Sequence, residues 1–169
     1  NTLSSAQISA LGTSKINSFT SIQLRALSNT AVNTLSSAQI AQFDTAKISS
    51  LSASQISALS TAVVKELSSA QIQALGSNAI TALSTAQIQA LDTADVTNLT
   101  SAQVGALTTS QLSVLTASQI VGLETADMGA LSSTQIKALG TSAIAALSAS
   151  QIKTLTSSQL QAHTSAQVQ

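Results

Sequence analysis

The chain has 169 residues, 44% of them hydrophobic and 7% charged, with a formal net charge of zero and no cysteine. So much Leu and Ile with so little charge argues against disorder. Neutrality leaves no electrostatic footprint for nucleic acid or anionic membrane, and the lack of Cys excludes disulfides and thiol chemistry. No apolar run approaches the roughly 20 residues of a membrane span.

From Leu3 onward the sequence falls into blocks of eight, twenty complete and one truncated, without insertion or deletion. The first position is Leu except at Phe19, Phe43 and His163, and the sixth is Ile, Leu, Val or Met throughout. A period this strict marks a repeat architecture. The chain starts at Asn1 in mid-pattern and stops at Gln169 in mid-octad, which reads as a piece of a longer array; residues 1–169 are expected to form a single array of 21 octads.

The octad L-S-T-A-Q-I-Q-A, Leu83 to Ala90, shows what each unit becomes. One continuous helix fails, because eight residues overshoot two turns by about 80° and the apolar stripe would wind around the axis. A strand places Leu83 and Ile88 on opposite faces, which weakens a thin β-solenoid and keeps it only as the alternative. A short helix fits every position. Ser84 is the N-cap and Gln87 the N3 residue of a capping box, while Leu83 and Ile88 take the two positions of the hydrophobic staple. Such a helix is too short to stand alone and requires stacking on its neighbours.

Charge follows the same polarity, acids at helix starts and bases at helix ends. Asp44, Asp92 and Glu124 fall at N-cap and Asp95 and Asp127 at N3, while Arg25, Lys65, Lys137 and Lys153 fall in the last turn. Glu66, Lys15 and Lys47 do not fit. The predicted class is therefore all-α, a solenoid of very short helices.

Successive octads are not equivalent. In odd-numbered octads the fifth residue is always Gln: Gln7, Gln23, Gln39, Gln55, Gln71, Gln87, Gln103, Gln119, Gln135, Gln151 and Gln167. In even octads it is Lys15, Ala31, Lys47, Val63, Ala79, Asp95, Gln111, Asp127, Ala143 or Gln159. This alternation predicts a coil of sixteen residues made of two helix-turn units, about ten coils in all, with odd helices on one side and even helices on the other. Capping duty alone would apply to both classes. The odd Gln ladder therefore either bonds between successive coils, the favoured reading, or lies against another chain.

No catalytic, cofactor or metal site is expected. The acid pairs Asp92/Asp95 and Glu124/Asp127 stand 32 residues apart, two sixteen-residue coils and so on one face; they are the strongest candidates for a weak Ca²⁺ site or an acid/base pair. Capping boxes with Asp at N3 explain them more simply. His163 is the sole histidine, and one His without Cys cannot assemble a metal site. No serine or threonine stands beside a base-orienter pair, so no nucleophile is indicated and an enzyme is not expected.

The octads L-S-T-A-Q-I-Q-A and L-T-S-A-Q-V-G-A (Leu99 to Ala106) resemble the Ala/Ser/Thr-rich short repeats of very large bacterial secreted or cell-surface proteins of the adhesin-like, haem utilisation/adhesion type. The resemblance spans the chain and implies an extracellular or cell-surface location and a structural or adhesive role; it transfers no functional residue. The expected function is a non-enzymatic spacer, stalk or filament-forming segment, partnered by itself or by neighbouring repeats. The alternative is a solenoid that binds a protein through the variable even face.

Overall fold

A computed structural model describes residues 3–162, the twenty complete octads. Among them are twenty α-helices of four to six residues, from α1 (Ser5–Ala10) to α20 (Ser157–Gln161), and no strand. The all-α reading holds, one helix to each octad. The chain divides into two compact units, Asn1–Ala90 and Leu91–Gln169. The first contains α1 to α11 and the second begins with α12 (Thr93–Thr97).

Each helix starts as its octad dictates. In α7 (Ala53–Ala58) the Ser52 hydroxyl accepts from the Gln55 N–H, and the Gln55 side chain accepts from the Ser52 N–H at 2.9 Å. The same reciprocal pair opens α11 (Thr85–Ala90), between Ser84 and Gln87. These bonds satisfy two of the backbone donors that a helix start leaves orphaned. The N′ and N4 residues of the staple, Leu83 and Ile88, are both buried. The helices end quickly because the next Leu is extended. Leu59 has φ −62° and ψ 142°, and Ser60 follows at φ −68° and ψ 155° before α8 (Thr61–Lys65) begins. Two extended residues thus turn the chain, and no described residue has a positive φ.

The predicted sixteen-residue coil is wrong. In the first unit α1 packs on α4 (Asn29–Asn33), α2 (Thr13–Asn17) on α5 (Ser37–Ile40) and α3 (Ser21–Arg25) on α6 (Thr45–Ser50), and so on to α8 on α11. In the second unit α12 packs on α15 (Ala117–Gly122), α13 (Ser101–Ala106) on α16 (Thr125–Ala130) and α14 (Thr109–Ser113) on α17 (Ser133–Ala138). Every stacked partner is three octads away, so one coil is 24 residues and has three helices. Side-chain bonds agree: the Thr34 hydroxyl donates to the Ser5 carbonyl, and the Ser101 hydroxyl to Asp127 Oδ1 at 2.8 Å, across 29 and 26 residues. The expected ten coils become fewer and longer ones. The physical reason lies in the caps. Ser52 (φ −70°, ψ 158°) heads an odd octad and Ser60 (φ −68°, ψ 155°) an even one, so the backbone turns alike at both and nothing makes a pair of octads a geometrical unit.

Burial shows the same count of three. The sixth-position residues Ile8, Ile16, Leu24, Val32 and Ile40 are fully buried, and the class stays buried as far as Ile136. Only in the last three described octads does it open, Ile144 being half-buried and Ile152 and Leu160 exposed. At the other end Leu3, Leu11 and Phe19 are half-buried, whereas every later first-position residue is buried. An end effect that lasts three octads is what a three-helix coil leaves uncovered. Within each unit the core is thus a column of short aliphatics, sealed layer by layer, as in other solenoids. The layers lie close where residues are small. A Cβ added at Gly122 in α15 would come within 3.0 Å of the Thr93 carbonyl oxygen in α12.

Candidate functional site

The feature with the most definite chemistry is the fifth position. Its side chain lies at the seam between one coil and the preceding one. Gln39 Nε2 donates to the carbonyls of Ile8 (3.1 Å) and Leu11 (2.7 Å). Gln55 does the same to Leu24 (2.8 Å) and Leu27 (2.9 Å), and Gln71 to Ile40 (3.0 Å) and Phe43 (2.8 Å). Gln87 reaches Leu59 at 2.7 Å. In the second unit Gln119 donates to Leu91 and Gln151 to Ile120 and Leu123, all at 2.8 Å, while Gln135 reaches Leu107 at 2.7 Å. Acceptors lie 28 and 31 residues back, one coil plus half an octad and nearly a full octad.

Each Gln therefore has two tasks. Its Oε1 closes the capping box of its own helix, and its Nε2 satisfies helix-terminal carbonyls of the coil before it. A carboxamide both accepts and donates from the same planar head without charge. Asn would be too short, and Glu would offer no donor. Gln103 is likewise buried and caps its own helix through Thr100. Gln7 and Gln23, in the first coil, are exposed and cap only their own helices. Gln167 and His163 lie outside the described residues.

The ladder, expected in odd octads alone, extends to even ones. Gln159 in α20 donates to Met128 (2.9 Å) and Leu131 (2.7 Å), and Gln111 is buried as well. Lys47 reaches the same seam with Nζ, to the carbonyl and the side-chain oxygen of Asn17, the latter at 2.8 Å. Their shared fifth position was the available signal. Where the even octads lack a polar residue, the seam is filled by Ala31, Val63, Ala79 or Ala143, all buried. The even fifth positions that the alternative reading offered as a binding face are thus buried or half-buried from Ala31 onward, and Lys15 alone among the described ones is exposed. With three octads to a coil, odd and even octads alternate down every side, so neither class has a side to itself.

The acid pairs resolve into caps. Asp92 and Glu124 are exposed N-cap residues, and Asp95 and Asp127 are buried at N3. Asp95 accepts from the Asp92 N–H at 3.2 Å and the Asp92 carboxylate from the Asp95 N–H at 2.8 Å. Asp127 accepts from the Glu124 N–H at 3.0 Å and from the Ser101 hydroxyl. The two pairs open α12 and α16, which belong to different stacks, so they do not share a face as predicted. No group of three or more potential metal ligands occurs among the described residues.

Burial pushes the Asp95 carboxyl above its ordinary value; the hydrogen bond from the Asp92 backbone opposes this, and the nearby Asp92 charge adds to it. A carboxyl whose folded pKa is raised stabilises the fold when protonated, and that contribution is lost as pH rises through the folded pKa. Asp95→Asn, which keeps an oxygen for the Asp92 N–H, is therefore expected to be more stable than the parent at pH 7 and to lose this advantage by pH 3. Urea midpoints at the two pH values check it; an equal midpoint shift at both would show that ionisation of Asp95 is not the cause.

No helix among the described residues is long and apolar enough to cross a membrane. No curated protein and no solved structure matches the chain. The model of the ALTTAQ repeat matches three times in tandem, over residues 64–93, 88–125 and 120–157. These segments run without a gap from 64 to 157, more than half of the sequence, and the odd-numbered octads within them carry the capping Ser or Thr, the staple residues and the fifth-position glutamine described above. The chain belongs to the ALTTAQ repeat family.

Proposed function

We propose that this chain is a non-enzymatic spacer, a stalk segment of a bacterial secreted or cell-surface protein of the adhesin-like type. The observation that carries the reading is the seam itself. The polar side chains that recur are spent on joining each coil to the one before it, through bonds such as Gln55 to Leu24 and Leu27. Chemistry invested layer by layer builds extension, because each coil needs only its neighbours. The composition supports the location. Ser, Thr and Ala dominate the exposed positions, charge is sparse and Cys is absent, as in the surface repeats the octads resemble.

Small-angle scattering at infinite dilution tests the spacer. A globule of this length has a radius of gyration of about 15 Å; a clearly larger value with a rod-like cross-section is expected, and a value near the globular one would overturn the reading. Antibody labelling of intact against permeabilised source cells tests the location, with intact cells expected to label.

A second reading, a solenoid that binds a protein through one side, has one observation in its favour. Val121 is exposed beside a shallow groove lined by Thr93, Ala117, Ser118 and Ala146. Retention of a specific partner by the parent chain and its loss with Val121→Asp would favour that reading over the spacer.

A further inference from the structure

We propose that each unit holds one coil built to open before its neighbours, α8 to α10 in the first unit and α16 to α18 in the second. Any three successive octads make a coil, and coils differ in how many fifth-position donors fasten them to the coil before. The coil α5 to α7 has three, Gln39, Lys47 and Gln55, each bonded at the seam. In the next coil, formed by α8, α9 (Ser69–Gln73) and α10 (Ser77–Ala82), Gln71 is the one seam donor, because Val63 and Ala79 take the other fifth positions. The second unit has the same arrangement 64 residues later. There Gln135 in α17 is the donor, and Asp127 in α16 and Ala143 in α18 (Thr141–Ala145) offer none.

Where the donor is missing, an acceptor stays unpaired. The carbonyls of Leu27 and Phe43 each take a seam glutamine. Those of Leu35 and Leu51, 28 residues before Val63 and Ala79, accept no hydrogen bond among the described residues. Leu99 and Leu115 stand in the same relation to Asp127 and Ala143, and their carbonyls are unpaired too. All four leucines are buried. Opening a fastened seam first breaks the glutamine bonds, whereas opening an unfastened one lets water reach a carbonyl that the closed coil leaves alone.

The caps point the same way. α10 and α18 begin at Gly76 and Gly140, which give no side-chain cap bond, and so lack a stabilising device that most of the other helices have. Two hydroxyl bonds partly offset the loss, Ser37 to the Ala62 carbonyl at 3.4 Å and Ser101 to Asp127 at 2.8 Å. Neither reaches the unpaired carbonyls. Because a solenoid's stability is a sum over neighbouring layers, the layer with fewest fastenings opens at the lowest free energy while those around it stay closed. In a stalk under load such coils would give length first; that use, unlike the opening, rests on the spacer reading.

Hydrogen exchange of the full chain in low urea, read by mass spectrometry, tests the order of opening. Amides of α8 to α10 are expected to exchange at least tenfold faster than those of α5 to α7. Those of α16 to α18 should likewise outpace α19 (Ala149–Thr154) and α20, which carry the donors Gln151 and Gln159. Fraying from the ends would give the reverse order in both comparisons. Val63→Gln with Ala79→Gln supplies the missing donors at a position where Gln55 and Gln87 are accommodated in full burial. This variant should slow exchange in α8 to α10 at least tenfold and leave α16 to α18 unchanged. Equal exchange in the two coils of the parent chain, or faster exchange in α5 to α7, overturns the proposal. A folded variant whose α8 to α10 gain no protection overturns it as well. The spacer reading is decided separately, by scattering.

Discussion

Gln55→Leu is expected to destabilise the first unit by about 3–4 kcal/mol, since it strands buried polar groups at roughly 1–3 kcal/mol each. The leucine has similar bulk and fits the apolar surroundings, so packing is nearly conserved and the loss isolates the polar work. Without the carboxamide, the Ser52 N–H loses its acceptor and the carbonyls of Leu24 and Leu27 lose their seam donor, all at a site where Gln55 itself is only 2% exposed. Gln55→Glu should be worse at pH 7. It keeps the cap but turns carboxylate lone pairs toward two carbonyls and buries a charge. Gln23→Leu is the control, because Gln23 caps α3 through Thr20 but is exposed at its seam side. Its expected cost is about 0.5–1 kcal/mol, that of a weakened cap. Urea denaturation followed by circular dichroism gives the ordering, and equal losses for Gln55→Leu and Gln23→Leu would show that the seam bonds add nothing to stability.

Ile56→Ala should cost about 3–4 kcal/mol, within the range found when a buried aliphatic is truncated and its cavity cannot collapse. Ile152→Ala, the same substitution at the same octad position, should cost about 1 kcal/mol or less, since little transfer energy is lost where the side chain already meets water. The two residues share their neighbours in sequence, S-Q-I in both, and both lie in six-residue helices, α7 and α19 (Ala149–Thr154). They differ in that Ile56 is 0% exposed and Ile152 45%. Hydrogen exchange would place the loss for Ile56→Ala in the coils that touch it, since solenoid stability is a sum over neighbouring layers. Comparable costs at the two positions would mean that helix formation within the octad, and not cover from the next coil, decides stability.

The contrast between those isoleucines marks where reading the sequence stops. Each octad's local structure was legible because its causes lie within eight residues. Ser84 and Gln87 are three apart, as the capping box requires, and Leu83 and Ile88 five apart, as the staple requires; the structure has both. The placement of acids at Asp44, Asp92 and Glu124 followed from the helix dipole and needed no tertiary information. The family and its tandem character are carried by the same period.

What only the tertiary structure decided is how many octads make a turn, and with it which residues meet. The sixteen-residue alternation at the fifth position invited a two-helix coil, but it records which layers carry a glutamine at the seam and says nothing about the bend of the backbone. That bend comes from the two extended residues between helices. They have the same dihedral angles in odd and even octads, so no difference in sequence could report the number of sides. The count of three followed from how six-residue helices and those turns close around a shared core. It set Gln39 against Ile8 and Leu11, buried most of the even positions that sequence offered as a binding face, and separated acid pairs that seemed aligned. Local chemistry is fixed by neighbours along the chain, whereas the turn of a solenoid is fixed by neighbours a whole coil away.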